Sequence, residues 1–375
     1  MPQVTEGNQS MNIAIMGIKG VPGHHGVEVV VDSLIPHLVS LGHAITVYGY
    51  ESYTKPSADY RGARIRTVAG SERKNLEMIS HMWNAALDAR RERFDIVHIH
   101  STDPCLLAWL PRPRYGVVAT SHGQAYLRKK WSMAAKAMSK AAERMFIGYP
   151  KAVTCVSKPL CEYYLERYGR DVSYIPNGIS FREKPDAGWL RRWNLEPGGY
   201  LFSSAGRIER TKGLTTLFES YRRLGSKLPL VIAGGGSATD DAYFEELKAR
   251  KPEGVLFVGF LEGDEYYSLY AHARVFIFPS EYEAMSMTLL EALSYGVPTV
   301  YSDIPENEAV ARGLGIPFRV SDTESLAAGI HRALENRTEA EALGAKAREN
   351  VRRNHDWSVI ARQYDEIYRN VTSRS

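Results

Sequence analysis

The chain has 375 residues, 44% apolar, 24% charged and 10% aromatic, proportions that exclude a disordered, collagenous or disulfide-stapled protein and suit two domains with separate cores. Its formal charge of +4 is unevenly spread, with 22 Lys and Arg against 15 Asp and Glu over residues 1–180 and 25 against 28 over the remainder. Three cysteines, Cys105, Cys155 and Cys161, cannot build a disulfide framework and none lies in a C-x-x-C pair, so no zinc or redox motif is expected and a reducing cytoplasm is the default compartment.

NIAIMG (12–17) is the first of several short apolar runs suited to buried parallel strands. A glycine-rich loop follows it, then an amphipathic helix marked by Val27, Val30, Val31, Leu34, Leu38 and Leu41. Glycines at 17, 20, 23 and 26 miss the G-x-G-x-x-G spacing, which argues against nicotinamide binding. A longer loop through Gly20 and Gly26 instead lets backbone N–H groups approach a phosphate or sugar. AITVYGY (44–50), DIVHIH (95–100), GVVATSH (116–122) and AVTCVS (152–157) continue the strand pattern. His98 and His100 share one strand face without an evident third ligand, which favours packed histidines over metal ligands. His122 ends its strand beside Gly123, where it is either a turn histidine or a group that hydrogen-bonds a sugar hydroxyl or the reacting centre.

Residues 126–146, YLRKKWSMAAKAMSKAAERMF, read as a helix carrying Arg128, Lys129, Lys130, Lys136, Lys140 and Arg144, opposed only by Glu143. This is either a solvated basic face or a contact for anionic lipid. No nucleic-acid module is present. No apolar run approaches the ~20 residues that span a bilayer, and the opening MPQVTEGNQS is too polar for a signal peptide. The expected location is the cytoplasm, with the inner face of the plasma membrane as the place a basic half would favour.

FREKPDAGWLRRWNLEPGG (181–199) is polar and punctuated by Pro and Gly, as a linker would be. The strand and helix alternation then resumes with YLFSSAG (200–206), LVIAGGG (230–236), VLFVGF (255–260), VFIFPS (275–280) and PTVYSD (298–303). Two doubly wound α/β domains are expected, 1–180 and 181–375, with a last helix around 357–368 that either can claim. Such sheets bind ligands at the carboxyl ends of their strands, so a cleft between the domains is the expected site.

SSAGRIERTKGLTTLFES (203–220) is strand, tight loop and helix, with Gly206 at the strand end and Arg207 and Lys212 projected from the loop. Cations at a helix start suggest a bound diphosphate, against two solvated charges. IAGGGSATDDAYFEEL (232–247) is a second glycine-rich strand end, where Gly235 permits close ligand approach or forms a turn. PSEYEAMSMTLLEALSYGVPTV (279–300) leads into a helix expected to start near Met287, with Ser286 as N-cap and Gly296 as its stop. The backbone of Ser286, Met287 and Thr288 is suited to hold a phosphate. Glu283 and Glu291 flank it, eight positions apart, or ~12 Å if every step were helical. That separation favours two hydroxyl acceptors over a hydrolytic pair, whose carboxyls lie ~5–9.5 Å apart. The alternative is a simple cap with two solvated glutamates.

Taken together these segments resemble the retaining glycosyltransferases of family four, which have the GT-B fold of two facing Rossmann-like domains. The resemblance runs from about Met11 to Arg369. It rests on the E-x7-E pair Glu283 and Glu291 in a P-S-x-x-E…L-E-A-x-x-x-G-x-P frame, on GRIERTKG and on IPNGI (175–179). It implies that Arg207 and Lys212 clamp the donor's diphosphate with the Met287 and Thr288 backbone, and that Glu291 binds the ribose and Glu283 the donor sugar. It further implies His122 beside that sugar and the Gly20–Gly26 loop on the acceptor side. The donor's own phosphate accepts the acceptor proton in this family, so no metal or enzymic base is implied.

A narrower resemblance, through GIKGVPGHHGVE, YRGARIR and ERYGR, points to bacterial rhamnosyltransferase-like enzymes of surface polysaccharide synthesis. The chain departs from that pattern at His25, Ala284 and Thr288, and its first loop is one residue shorter. The expected function is transfer of a hexose, with L-rhamnose from dTDP-rhamnose first, to a glycan or polyprenyl-diphosphate-linked acceptor. The alternatives are a UDP- or GDP-sugar donor, a GT-B nucleotide-sugar epimerase, or a catalytically silent sugar-nucleotide binding protein.

Overall fold

The structure, a computed structural model, describes residues 10–23, 26–73, 76–124, 133–236 and 241–373. It divides into two compact units, Met1–Gly178 with Trp357–Ser375, and Ile179–Asp356.

The first unit begins with β1 (Asn12–Met16), α1 (Val27–Ser40), β2 (Ala44–Tyr50), β3 (Ser57–Tyr60), β4 (Ala63–Val68) and α2 (Glu77–Ala89). It continues with β5 (Ile96–His100), β6 (Gly116–Ser121), α3 (Met133–Gly148), β7 (Ala152–Cys155), α4 (Lys158–Tyr168) and β8 (Ser173–Tyr174). The strands lie in the order β3-β4-β2-β1-β5-β6-β7-β8. All pairings are parallel except β3 with β4. Every side chain of β5 is buried, because helices cover both faces of a parallel sheet. Ala14, Met16, Val97, Ile99, Phe146 and Tyr164 share one core cluster.

The second unit holds β9 (Leu201–Arg207), α5 (Leu214–Leu224), β10 (Leu230–Gly235), α6 (Asp241–Arg250), β11 (Val255–Gly259), α7 (Gly263–Ala271) and β12 (Val275–Phe278). After them come α8 (Met287–Tyr295), β13 (Thr299–Ser302), α9 (Pro305–Ala311), β14 (Ile316–Phe318), α10 (Thr323–Glu335) and α11 (Arg337–His355). Its sheet, β11-β10-β9-β12-β13-β14, is parallel throughout. Strand order reverses between β1 and β5 in one sheet and between β9 and β12 in the other, the crevice positions of doubly wound folds.

Two features differ from the sequence reading, and a third takes up what it left open. The stretch 181–199 is no free linker: 3-10 turns over Ala187–Trp193 bury Leu190 completely, and Asp186 caps them through the Gly188 amide at 2.5 Å. α12 (Trp357–Ser373) is counted with the first unit rather than with the residues before it, because Ile360, Ala361, Tyr364 and Tyr368 are buried there. Gly178 lets Trp357 approach, since a Cβ at 178 would lie 2.4 Å from the indole. Finally, Cys155 and Cys161 form one disulfide across the β7–α4 turn, while Cys105 stays free and buried. A cysteine count excludes a framework, but it does not reveal a bridge between neighbours in sequence.

Candidate functional site

In the second unit the loop after β9 is seated on the segment after β12. Gly213 has φ +65°, and a Cβ there would stand 2.0 Å from the Pro279 carbonyl oxygen, so only glycine permits the approach. The Glu281 amide donates to the Thr211 carbonyl at 2.8 Å. This seating delivers Lys212 to Glu283, with Nζ 2.6 Å from Oε1, and the Ser280 hydroxyl donates to the same oxygen at 2.6 Å. The two side chains are only 22% and 13% exposed, so the pair is shielded more than a surface ion pair and holds Glu283 in one orientation. The Ser302 hydroxyl bonds the Ser280 carbonyl and receives the Asn307 amide at 2.9 Å, bracing the turn from behind. Burial raises the Glu306 carboxyl above its ordinary range, and the Glu283 charge adds to the shift.

α8 starts at Met287, as its cap chemistry predicts. The Ser286 hydroxyl accepts from the Leu289 amide at 3.3 Å, and Gly296 ends the helix at φ +72°. The Met287 and Thr288 amides sit in the first turn, where no intrahelical acceptor exists. Glu291 lies one turn further in. Its Oε2 accepts from Tyr266 and Tyr270, each at 3.1 Å; their hydroxyls are 2.8 Å apart, and Ser204 Oγ is 2.9 Å from Tyr266. Burial pushes the Glu291 carboxyl up to about 7, against the pull of the two hydroxyls and the Arg182 charge. Oε1 has no partner among the described residues.

The ends of β9 and β10 run side by side, with Gly206 opposite Gly234 and Arg207 opposite Gly235. Gly206 needs glycine for its φ of +59° alone, since a Cβ would meet nothing within 4 Å. A Cβ on Gly235 would make only ordinary contact with Phe260 at 3.6 Å, so packing does not require glycine there. Arg207 is exposed and has no partner among the described residues. The expected pair of free cations is therefore one free cation and one neutralised by Glu283. Tyr266, Tyr270, Ser280 and Arg182 were missed by the sequence reading; the i, i+4 spacing of the two tyrosines on α7 was the available signal.

In the first unit the loop after β1 is packed tightly. Gly20 has φ +141°, and a Cβ there would lie 2.6 Å from the Thr54 methyl. The Lys19 amide donates to Glu28 Oε1 at 3.2 Å and the Gly23 amide to Asp32 Oδ2 at 3.0 Å. These two amides are engaged by carboxylates of α1. Gly26, at φ +57°, caps α1 and faces open space. His25 lies outside the described residues.

His122 closes a row of three imidazoles. His98 bonds Tyr368 at 2.8 Å through Nδ1 and Thr120 at 2.7 Å through Nε2. Its ring lies 4.1 Å from that of His100, and His100 Nδ1 is 3.0 Å from His122 Nε2. Burial lowers His98 to about 3 and His122 to about 4, and takes His100 well below its ordinary value with help from both neighbours. All three are neutral at physiological pH.

On α3, Lys140 and Arg144 are exposed and Lys136 is half-buried; Arg128, Lys129 and Lys130 lie outside the described residues. Among the described residues no helix is long and apolar enough to cross a membrane, and no group of three or more His, Cys, Asp or Glu is placed to hold a metal.

The family model described as Glycosyltransferase Family 4 matches residues 24–183, and that described as Glycosyl transferases group 1 matches residues 189–350. The chain is 27% identical over 366 residues to a glycogen synthase of Mycobacterium tuberculosis, covering 88% of this chain and 87% of that protein. Its fold is similar to sucrose-phosphate synthase from Thermosynechococcus elongatus, with a TM-score of 0.81, 20% identity, and 97% of this chain and 100% of the other covered. It is also similar to the Anabaena protein HepE in complex with UDP and glucose, with a TM-score of 0.80, 14% identity, and coverage of 96% and 100%.

Proposed function

We propose that the chain, whose two Rossmann-like domains match the GT-B fold, is a glycosyltransferase that transfers a hexose from a nucleotide sugar with retention of configuration through the residues gathered around the start of α8. The observation that carries this reading is the conjunction of the Met287 and Thr288 first-turn amides and the exposed Arg207, which have no partner among the described residues, with the shielded Lys212–Glu283 pair. Amides and a partial positive charge at a helix start suit a diphosphate. In our reading Arg207 and Lys212 answer the charge that grows on the departing nucleotide, and the strand ends at Gly206 and Gly235 let the backbone come close to it.

Glu291, with Oε1 unengaged and Oε2 fixed by two tyrosines, is the acceptor for the ribose hydroxyls. Glu283, oriented by Lys212 and Ser280, is the acceptor for a donor-sugar hydroxyl. His122 contributes as an uncharged hydrogen-bonding group beside the sugar, consistent with the depression of its pKa by burial. The donor phosphate takes the acceptor proton, so none of these residues has to act as a base. The GIKGVPG, YRGARIR and ERYGR segments support dTDP-L-rhamnose as the first donor to test and a glycan or polyprenyl-diphosphate acceptor of surface polysaccharide synthesis. Lys140 and Arg144 support peripheral contact with anionic lipid, tested by retention on anionic vesicles at low salt and release at high salt.

The primary experiment is thermal unfolding with UDP, GDP, dTDP and ADP separately. A ligand at about 100 times its Kd adds ~2.7 kcal/mol to native stability and moves the transition by several degrees. A selective rise with dTDP supports the rhamnosyl reading, a rise with another diphosphate reassigns the donor, and no rise with any of them overturns the diphosphate site. The anomeric configuration of the product, read by proton NMR, tests retention.

A further inference from the structure

The row beneath His122 has a feature that the transfer reading leaves unused. His100 is fully buried, and its Nε2 has no hydrogen-bond partner among the described residues. Its Nδ1 is 3.0 Å from His122 Nε2, with the rings inclined by only 23° and their centroids 5.3 Å apart. That centroid separation is close to the N···N distance plus one ring radius on either side. The rings therefore meet edge to edge with the bond along their radii, the alignment a strong N–H···N bond prefers, rather than face over face.

Such a bond contains one proton, and its location decides what His122 offers on its far side. If His122 Nε2 were the donor, the neutral His100 would carry its own proton on Nε2, leaving a buried N–H with no acceptor. If His100 Nδ1 is the donor, the orphaned atom is a bare lone pair, and buried N–H groups without acceptors are the rarer of the two. Protonating both rings to avoid the choice is opposed by burial and by His98, which packs 4.1 Å from His100 and is itself tied down through both nitrogens.

We propose that His100 is a positioning residue: it donates from Nδ1 to His122 Nε2, holds His122 in the Nδ1–H tautomer, and so makes its free edge a fixed hydrogen-bond donor rather than an acceptor. His122 Nδ1 has no partner among the described residues, and unlike His100 Nε2 it is not a buried orphan. A donor there suits an oxygen that carries lone pairs or negative charge, such as a sugar hydroxyl or a donor phosphate oxygen. The orienting role rests on the assignment of His122 to the transfer site, whereas the tautomer does not.

Nitrogen-15 NMR of the histidine-labelled full chain tests the tautomer, with His122→Gln assigning the signal. A protonated Nδ1 and an unprotonated Nε2 on His122 are expected; an Nε2–H on His122 overturns the proposal. His100→Asn keeps an amide donor near the position of Nδ1 and should preserve both the tautomer and most of the activity. His100→Leu removes the donor and should let His122 redistribute its proton, with kcat falling about tenfold while the donor's KM changes little. An unchanged tautomer in His100→Leu also overturns the proposal. Normal transfer by His122→Gln with the expected tautomer in the wild type would instead sink the assignment of His122 to the site and leave the tautomer standing.

Discussion

At the carboxyl ends of β5 and β6 the first unit holds neutral imidazoles locked to one another, to Thr120 and to Tyr368, and its neighbouring glycine loop has amides already engaged by Glu28 and Asp32. At the carboxyl ends of β9 and β12 the second unit holds the Lys212–Glu283 pair, and Arg207 and first-turn amides that have no partner among the described residues. The same doubly wound architecture therefore carries an electrically quiet end of neutral rings in one half and a charged end in the other. Under the proposed function, affinity for an anionic donor would come from the second kind of surface and geometric selection among uncharged hydroxyls from the first.

Breaking the charged side should have the largest effect. Lys212→Ala leaves Glu283 shielded without its cation, and a fall in kcat of about 10²–10³-fold is expected; a rate within twofold of wild type would make the pair merely structural. Glu283→Gln should lower kcat by about 10²-fold while the thermal shift from the nucleoside diphosphate persists, because its proposed partner is the sugar. If the diphosphate shift vanishes as well, the division of labour between Glu283 and Glu291 is wrong.

The remaining contrasts are in stability. Gly213→Ala combines a left-handed φ with a collision at the Pro279 carbonyl, and about 2–4 kcal/mol should be lost in urea unfolding. Tyr368→Phe strips His98 of one partner in the quiet half and should cost about 1–2 kcal/mol; no loss would mean the row is not held from α12. Glu291→Gln has the smallest effect and a distinctive pH dependence. Because the folded carboxyl titrates at about 7, above its ordinary 4.5, the folded chain binds more protons than the unfolded one between those values, and stability falls as pH rises through that window. Glutamine removes the penalty, so its gain in Tm should be greatest near pH 8 and shrink towards pH 5. A gain independent of pH would show that burial of this carboxyl is not the cause.

The strands of the sheet centres were legible as short apolar runs, and α8 was legible from Ser286 and Gly296 because capping is local chemistry. The edge strands β3 and β14, and β4 beside β3, were not. SADY is polar, ARIRTV buries only Ala63 and Ile65 fully, and an edge strand lacks the uninterrupted apolar signature. Around the site, Glu283, Glu291 and Lys212 were found by spacing from glycines and caps. That Lys212 would be spent on Glu283 was not visible, since the contact is made across 71 residues by a glycine pressed on a carbonyl. The histidine row was hidden for the same reason: His98 and His100 announce themselves by alternation, but Tyr368 reaches them from 270 residues away.

That last connection bears on the order in which the protein is made. α12 emerges from the ribosome only after all of Ile179–Asp356, yet it completes the body of the unit synthesised first and supplies the tyrosines against which His98 rests. The usual sequence of vectorial folding, amino-terminal domain before the next, is inverted: the second unit is available as an uninterrupted stretch, while the first must wait with an open flank for its closing helix. The half with the finished, neutral interior is the last to be finished.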